Sequence, residues 1–345
     1  MTRRLAEVAA RAGVSEATVS RVLNGKPGVS ESTRSTVLTA LDVLGYERPT
    51  KLRGERARLV GLVLPELQNP IFPALAEVVG ANLSQHGLTP VLCTQTMGGV
   101  AESDYVDMLL EQQQVAGIMF AGGLYSQADA DHTHYERLVR RKLPVVLINA
   151  TIDNLPFPRV VCDDASAMEQ ALDHLSALGH ERIGLVLGSR DHVPSLRKLD
   201  SARAVLAASG TGLDESLVAH AQFSLQSGQA AAAALYERGA TALVCASDPL
   251  ALGAIRAARR ARLRVPEDVS VIGYDDSAFM SSVEPPLTTV RQPIEAMGRA
   301  AVAALVGQIQ GEDVSCDELL FEPELVVRRS TRPARNAQRP ARSGN

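Results

Sequence analysis

The stretch LAEVAARAGVSEATVSRVLNG, residues 5–25, decides how the start of this chain folds. Leu5, Val8 and Ala9 recur at the spacing of one helix face, which predicts a first amphipathic helix. Gly13 predicts its end, because glycine accepts a left-handed backbone without steric cost. Ser15 then stands as the expected N-cap of a second helix, where its hydroxyl can accept from free N–H groups.

The second predicted helix spans about residues 16–23 and ends at Asn24-Gly25. It buries Val19 together with Val22 or Leu23. Two helices with a glycine in the turn describe a helix-turn-helix, whose second helix enters a DNA major groove. The alternative is a helical hairpin that only packs against another part of the protein. The outward residues of the second helix are Ala17, Thr18 and Arg21.

Charge is distributed unevenly along the 345 residues, although the net charge is only −4. Residues 1–58 carry +5, residues 331–345 carry +4, and the segment between them carries −13. A basic head on an acidic body suits a protein whose first domain contacts phosphates while its body avoids them. Charge asymmetry is nevertheless common, so this pattern only supports the helix-turn-helix prediction.

Length and composition indicate a soluble, multi-domain cytoplasmic protein with an aliphatic core. The start, Met1-Thr-Arg-Arg, lacks the apolar region of a signal peptide, and no apolar run is long enough for a membrane span. The four cysteines form no C-x-x-C pair and lie in or near apolar runs, which favours reduced packing residues. They are Cys93, Cys162, Cys245 and Cys316.

Beyond residue 58 the pattern changes to short apolar runs that alternate with helical segments. RLVGLVL, LTPVLCT, AGIMFAG and LPVVLINA form a first set of strands, and a second set is predicted to begin near Val160 with RVVCD. Buried strands alternating with helices predict parallel βαβ units. LVGLVLPE at 59–66 is echoed by RIGLVLGS at 182–189, which suggests two lobes of the same architecture. Ligands of such sheets bind at the carboxyl ends of the strands, so two facing lobes predict one cleft.

Several strings together resemble LacI/GalR-family transcriptional regulators. AGVS, ATVSR and LNG occur in order at the start, NPIF follows the first strand, and LGHERIGLVLG and GYDDSAFMSSVEPPLTTVRQP come later. The resemblance covers about residues 3–330. It implies a multi-domain protein in which an all-α helix-turn-helix head precedes a two-lobed α/β body with parallel sheets, similar to periplasmic binding proteins.

The resemblance also implies a domain division with three crossings between the lobes. The head is placed at 1–48, a shortened hinge at 49–58 and the effector-binding and dimerisation domain at 59–330. The N-lobe is expected at about 59–160 plus 291–320, and the C-lobe at about 161–290 plus 321–330. Residues 331–345 are predicted to be a disordered basic tail, because the segment has no apolar residues expected to anchor it.

For DNA binding, the family implies a homodimer on a palindromic double-stranded operator, with one recognition helix per half-site. Thr18 and Ser20 would hold phosphates, whereas Ala17 and Arg21 would face base edges. Ala17 offers only a methyl group, so Arg21, which can bind guanine O6 and N7, is the predicted main base reader. The predicted DNA-binding set is Leu5, Ala6, Ser15, Ala17, Thr18, Ser20, Arg21, Asn24 and Leu52.

For the effector, the family's motifs place an arginine at Arg197 and an acid at Asp275. A guanidinium that spans two oxygens and a carboxylate that accepts two hydroxyls suit a carbohydrate. The alternative roles are a solvated helix charge for Arg197 and a strand-end turn cap for Asp275. For the aromatic candidates Phe72 and Phe223, the alternative is core packing. The full predicted set is Asn69, Phe72, Asn149, Arg197, Phe223, Ser247, Asp275 and Gln292.

The chain departs from the family pattern in two places. Asp200-Ser201 stands where many members have a glycine-aromatic pair, which leaves the pocket wall and the identity of the ligand open. The hinge is also three residues shorter than usual, counted from Tyr46 to Leu52. Such a short helix does not repay its nucleation, so weak minor-groove insertion by Leu52 is predicted. Leu52→Ala should then reduce operator affinity less than Arg21→Ala.

Other chemistry has weaker sequence support. Gly122-Gly123 in FAGGLYS does not match a phosphate-binding loop, and His132-x-His134 lacks a third metal ligand, which favours a polar surface segment. Asp163-Asp164 could be a catalytic acid pair, but the start of a helix is the favoured interpretation. No cofactor, metal or enzymatic activity is expected.

Two functions from different classes remain. The first is a dimeric, effector-responsive repressor, and the second is a solute-binding-type sugar-binding protein with no DNA function. The absent signal peptide and the predicted helix-turn-helix both oppose the second. An α/β enzyme with a regulatory head is a third, weaker alternative.

Overall fold

A computed structural model describes residues 2–23, 26, 28–44, 58–95, 99–111, 115–150 and 155–335. The chain divides into two compact units, residues 1–58 and 59–345, which we describe separately. Among the helices in these ranges, none is both long and apolar enough to cross a membrane.

The head contains the predicted helix-turn-helix followed by a third helix. Val8, Val19, Val22 and Val37 are almost fully buried and form its core. Val22 is therefore the inward partner of Val19, whereas the alternative partner Leu23 is only half-buried. The three helices are α1 (Thr2–Ala12), α2 (Glu16–Leu23) and α3 (Glu31–Val43).

The first lobe of the body, the N-lobe, is a six-stranded sheet with helices on its faces. Its strand order is β11-β5-β4-β3-β1-β2, and the neighbours from β11 to β1 pair in parallel. The inner strands β1, β3, β4 and β5 are nearly continuous buried apolar runs because helices cover the sheet. The elements are β1 (Arg58–Leu64), α4 (Ile71–Gln85), β2 (Leu88–Thr94), α5 (Glu102–Glu111), β3 (Val115–Phe120), α6 (Thr133–Arg140), β4 (Val145–Ile148), β5 (Arg159–Cys162), α11 (Ile294–Gln310) and β11 (Glu318–Phe321).

The second lobe, the C-lobe, repeats this plan with the strand order β12-β10-β9-β8-β6-β7. The strands from β10 to β7 pair in parallel, while β12 pairs antiparallel with β10. The elements are α7 (Asp164–Ala177), β6 (Ile183–Leu187), α8 (Val193–Ala208), β7 (Val218–His220), α9 (Leu225–Glu237), β8 (Ala242–Cys245), α10 (Asp248–Arg260), β9 (Ser270–Asp275), β10 (Thr288–Arg291) and β12 (Glu324–Val326).

The chain crosses between the lobes three times, after β5, β10 and β11. The strand RVVC was predicted to open the second set, and this was wrong: it is β5, and it pairs with β4 in the N-lobe sheet. An apolar run reveals that a strand is buried, but it does not reveal which sheet contains it. The predicted lobe boundaries near residues 160, 290 and 320 consequently fall inside strands rather than after Cys162, Arg291 and Phe321.

The first residues of the predicted disordered tail are packed against the C-lobe. The Ala334 N–H donates to the Leu178 carbonyl (2.8 Å), and Ala334 itself is buried. His180 Nε2 lies 3.1 Å from the Arg332 carbonyl oxygen. The tail prediction was therefore wrong for residues 331–335, because main-chain hydrogen bonds and a small buried alanine suffice as anchors. Residues 336–345 lie outside the described ranges.

Candidate functional site

Two serine caps and a glycine fix the outward face of the helix-turn-helix. Gly13 adopts a φ of +66° in the turn between α1 and α2. The Thr18 N–H donates to Ser15 Oγ (3.2 Å) at the start of α2, and the Thr33 N–H donates to Ser30 Oγ (3.2 Å) at the start of α3. α2 therefore begins where the sequence predicts, with Ala17 and Arg21 exposed and Thr18 half-buried.

Of the predicted DNA-binding residues that the structure describes, four are exposed and three are half-buried. Ala6, Ser15, Ala17 and Arg21 are exposed, while Leu5, Thr18 and Ser20 are half-buried. Asn24 and Leu52 lie outside the described residues, so the predictions about the hinge stay predictions. The exposed side of α2 thus offers one arginine and several small side chains to an approaching surface.

Beside α2 lies a cavity of about 340 Å³ that the sequence reasoning missed. Its walls include Ser15, Thr18 and Arg21 from the recognition helix and Ser30 and Thr33 from the start of α3. Two helix N-termini, four hydroxyls and a guanidinium form a setting that favours an anion such as a phosphate. Ser30 caps α3 in the same way as Ser15 caps α2.

In the body, Asp275 is hydrogen-bonded to two other predicted effector residues, Asn69 and Gln292. It ends β9 with a φ of +115°, and it is only 5% exposed. Gln292 Nε2, just after β10, donates to Asp275 Oδ1 (2.7 Å). Asn69 Nδ2, from the N-lobe loop after β1, donates to Asp275 Oδ2 (3.3 Å). Residues 206 positions apart in sequence therefore meet where the two lobes face each other.

A second buried acid, Asp248, shapes the electrostatics of this site. Burial raises the pKa of Asp275 well above its ordinary value, and the nearby Asp248 carboxylate adds to this effect. Burial also raises the pKa of Asp248, to about 6. Asp248 accepts from Thr289 Oγ1 (2.6 Å) and from the Ser277 N–H (2.6 Å), which ties β10 and the loop after β9 to α10.

Asn149 and Ser247, also predicted effector residues, differ in what they offer a ligand. Asn149 follows β4 with a φ of +73°, and its Oδ1 is buried without a hydrogen-bond partner among the described residues. A buried acceptor without a donor is unfavourable by about 1–3 kcal/mol, so a ligand hydroxyl there would be stabilising. Ser247 is 1% exposed, and its Oγ accepts the Leu250 N–H (3.4 Å) as the N-cap of α10.

The predicted clamp Arg197 forms an ion pair between the lobes. Its Nη2 lies 2.7 Å from Oε1 of Glu318 on β11, with both side chains about 30% exposed. The next residue, Lys198, is buried and pairs with Asp164, and its Nζ lies 4.0 Å from the ring centre of Tyr274. Convergence of Arg197 and Asp275 on one ligand stays a prediction. Nothing in the sequence distinguished Lys198 as a buried cation.

The aromatic candidates Phe72 and Phe223 are both half-buried and pack against the core. The Phe223 ring lies 5.1 Å, centre to centre, from the ring of His192 in an edge-on arrangement. A Cβ at Gly188 would come within 2.6 Å of Phe223 Cζ, so the glycine makes room for the aromatic ring. Burial lowers the pKa of His192 to about 4, so its imidazole is neutral near pH 7.

The histidines weighed as metal ligands have other partners. His134 Nε2 lies 2.8 Å from Oε1 of the buried Glu102, and His132 Nε2 lies 3.0 Å from the Leu124 carbonyl oxygen. His134 is only 7% exposed, so the prediction of a surface segment was wrong for this residue. Within the described residues, no group of three or more histidine, cysteine or acidic side chains could hold a metal. Asp163 caps α7, as the favoured interpretation predicted.

Comparisons with known proteins identify both parts of the chain. Residues 4–49 match the family of bacterial regulatory proteins, lacI family, and residues 172–331 match the periplasmic binding protein-like domain. A helix-turn-helix head followed by a two-lobed binding body defines a transcriptional regulator. The chain belongs to the LacI family.

Its relatives align over nearly the whole chain. The HTH-type transcriptional regulator MalR of Streptomyces coelicolor is 53% identical over 97% of this chain and 98% of its own length. The solved CelR–cellobiose complex is 35% identical, with a TM-score of 0.72, and covers 94% of this chain and 99% of its own. The solved lac repressor dimer bound to operator and the anti-inducer ONPF is 28% identical, with a TM-score of 0.76. The match covers 94% of this chain and 98% of the lac repressor chain.

Proposed function

We propose that this chain is a homodimeric repressor whose affinity for a palindromic operator is controlled by a carbohydrate bound at Asp275. The observation that carries the proposal is the position of this buried carboxyl group. It accepts one hydrogen bond from an N-lobe amide and another from the crossing after β10. A ligand at Asp275 would therefore contact both lobes, and its binding would depend on how they meet.

The DNA-binding role is assigned to the exposed side of α2. Arg21 is proposed to read a base edge, because a guanidinium can bind guanine O6 and N7 together. The hydroxyl-lined cavity formed by Ser15, Thr18, Ser30 and Thr33 is proposed to hold a backbone phosphate. A dimer would present two such faces to the two half-sites of an operator.

The chemistry of the cleft supports a polyhydroxylated ligand. Asp275 and Asn149 supply acceptors, while Asn69 and Gln292 supply amide donors. Neighbouring sugar hydroxyls both donate and accept, so they can replace the Asn69–Asp275 bond without leaving either group unsatisfied. Sugar binding would thereby change the contact between the two lobes, and this change is the proposed step that alters operator affinity. The sugar would be bound without chemical change, and the chain would act in the cytoplasm.

The proposal is tested by combining a DNA-binding assay with a ligand screen. A gel shift with DNA from upstream of the chain's own gene should give a discrete complex that resists excess unrelated DNA. A thermal-shift screen with mono- and disaccharides, including cellobiose and maltose, should raise the melting temperature with at least one sugar. That sugar should then change the gel shift. No specific complex, or sugar binding without any effect on the complex, would contradict the proposal.

A further inference from the structure

The two lobes also touch through their main chains at a place that the effector residues do not explain. Gln127, in the N-lobe segment between β3 and α6, is the antiparallel bridge partner of His192, which precedes α8 in the C-lobe. The Ala128 N–H donates to the Asp191 carbonyl oxygen (2.8 Å). We call this pairing of residues 127–128 with residues 191–192 the clasp.

The clasp lies away from the three crossings. The crossings follow β5, β10 and β11, which are at or next to one edge of their sheets. The clasp instead follows β3, the fourth strand from that edge in the N-lobe, and β6, the fifth in the C-lobe. The lobes are therefore connected covalently on one side and by main-chain hydrogen bonding further across the cleft.

On the N-lobe side, a buried carboxylate holds the loop that carries the clasp. Glu102 Oε2 accepts the Leu124 N–H (3.1 Å). Gly122 and Gly123 adopt φ values near +130°, and a Cβ at Gly123 would come within 2.1 Å of Glu102 Oε2. His132 Nε2 lies 3.1 Å from the Gln127 carbonyl oxygen. Gly123 thus lets the loop pass close to Glu102, and the hydrogen bond from the Leu124 N–H to Glu102 holds the loop there.

On the C-lobe side, hydrogen bonds and ring packing hold His192 in place. His192 Nδ1 lies 2.9 Å from Ser195 Oγ, which in turn accepts the Gly188 N–H (3.0 Å). Ser195 is 2% exposed, and the imidazole of His192 packs edge-on against Phe223. Both halves of the clasp are therefore held by their own lobes, so little conformational freedom is lost when they meet.

We propose that the clasp is a gate, which holds the lobes together across the cleft and must open before a ligand can reach Asp275. The inference rests on the proposed function for the identity of the ligand site, but the gate itself is a property of the body alone. Because the contact uses backbone groups, it forms whatever side chains line the pocket. Opening of the clasp then limits how fast the cleft exchanges its contents with solvent.

A disulfide across the clasp tests the gate. Antiparallel bridge partners have Cα atoms about 4.5–5.5 Å apart, within the range that a disulfide spans. The variant Gln127→Cys/His192→Cys should cross-link under mild oxidation by diamide, as measured by mass spectrometry. The matched control, Asp129→Cys/His192→Cys, places the first cysteine two residues beyond the bridge and should cross-link much less. Equal cross-linking of the two variants would contradict the bridge.

The consequence for the cleft is read by amide hydrogen exchange, without any ligand. In the oxidised bridge variant, exchange of the cleft segments around Asn69 and Asn149 should slow by about tenfold or more, and reduction should restore it. A quantitative cross-link that leaves this exchange unchanged would overturn the gate. Operator binding tests the proposed function separately. If the unmodified chain does not bind operator DNA, that result contradicts the proposed function but leaves the gate standing. The reduced variant should bind operator DNA as the unmodified chain does.

Discussion

The side-chain amide of Asn69, in the N-lobe, donates to the carboxyl group of Asp275, in the C-lobe, over 3.3 Å. The other oxygen of the same carboxyl group accepts from Gln292. Each oxygen of Asp275 therefore accepts a hydrogen bond from a neutral amide rather than from a cation. A sugar hydroxyl that takes the place of the Asn69 amide would keep this arrangement, and this exchange underlies the prediction for Asp275.

Asp275→Asn should weaken sugar binding by about tenfold or more, because the new amide presents an N–H group to a neighbouring donor. Operator binding without sugar should be unchanged, since the substitution lies in the body. Calorimetric titration with the sugar identified by thermal shift measures the first effect, and a gel shift measures the second. Sugar affinity equal to that of the unmodified chain would exclude Asp275 from the site.

Arg197→Ala should abolish the response to the sugar if the guanidinium clamps the ligand as well as pairing with Glu318. The matched variant, Glu318→Ala, removes the same ion pair and leaves the arginine in place. We expect sugar affinity, measured by calorimetry, to fall in Arg197→Ala and to remain near normal in Glu318→Ala. An equal loss in both variants would instead assign Arg197 to the contact between the lobes.

Arg21→Ala should reduce operator affinity by about 1–3 kcal/mol and relax the preference at one base pair per half-site. Arg11→Ala is the control, because it removes the same charge from an exposed position in the last turn of α1. Selection of binding sites from a random DNA pool, followed by anisotropy titrations, measures both quantities. Unchanged base preference in Arg21→Ala would contradict its role as a base reader.

Glu102→Gln should lower the free energy of unfolding by about 1–3 kcal/mol or more. The carboxylate accepts from His134 and Tyr135 on one oxygen and from Gln95 and the Leu124 N–H on the other. An amide would turn one acceptor into a donor that faces these donors. Urea unfolding measures the change, with the exposed Glu77→Gln as control. A loss no larger than that of Glu77→Gln would disprove the role of the carboxylate.

The same residue predicts a dependence on pH. Burial alone would raise the pKa of Glu102, but the hydrogen bonds from its four donors outweigh it and lower the pKa below the ordinary 4.5. A depressed pKa in the folded state stabilises the fold above the unfolded value, and this contribution disappears as the pH falls through the folded value. The stability gap between the unmodified chain and Glu102→Gln should therefore shrink below about pH 4.5. A gap that is constant down to pH 3 would refute this assignment.

The local features of the chain could be predicted from its sequence, because they depend on neighbouring residues. The burial of Val19 and the cap at Ser15 follow from helical spacing and hydroxyl placement alone. The family resemblance supplied Asp275, Asn69 and Gln292 as site residues, although not their mutual hydrogen bonds.

The features that depend on distant contacts could not be predicted. The sheet to which β5 belongs is decided by its pairing with β4 and β11, which no apolar pattern encodes. The role of Gly123 in FAGGLYS depends on Glu102, which is distant in sequence and leaves no room for a Cβ at this position. Lys198 is buried because Asp164 and Tyr274 meet it from two other elements.

Fluorescence anisotropy of a labelled operator fragment, titrated at fixed salt concentration, tests most directly the claim that a ligand at Asp275 controls DNA binding. With the unmodified chain, a saturating concentration of the identified sugar should change the operator Kd by about tenfold or more. Asp275→Asn should bind the operator with the unmodified affinity and show no change with the sugar. An operator Kd of the unmodified chain that is the same with and without sugar, or an equal shift in Asp275→Asn, would contradict the account.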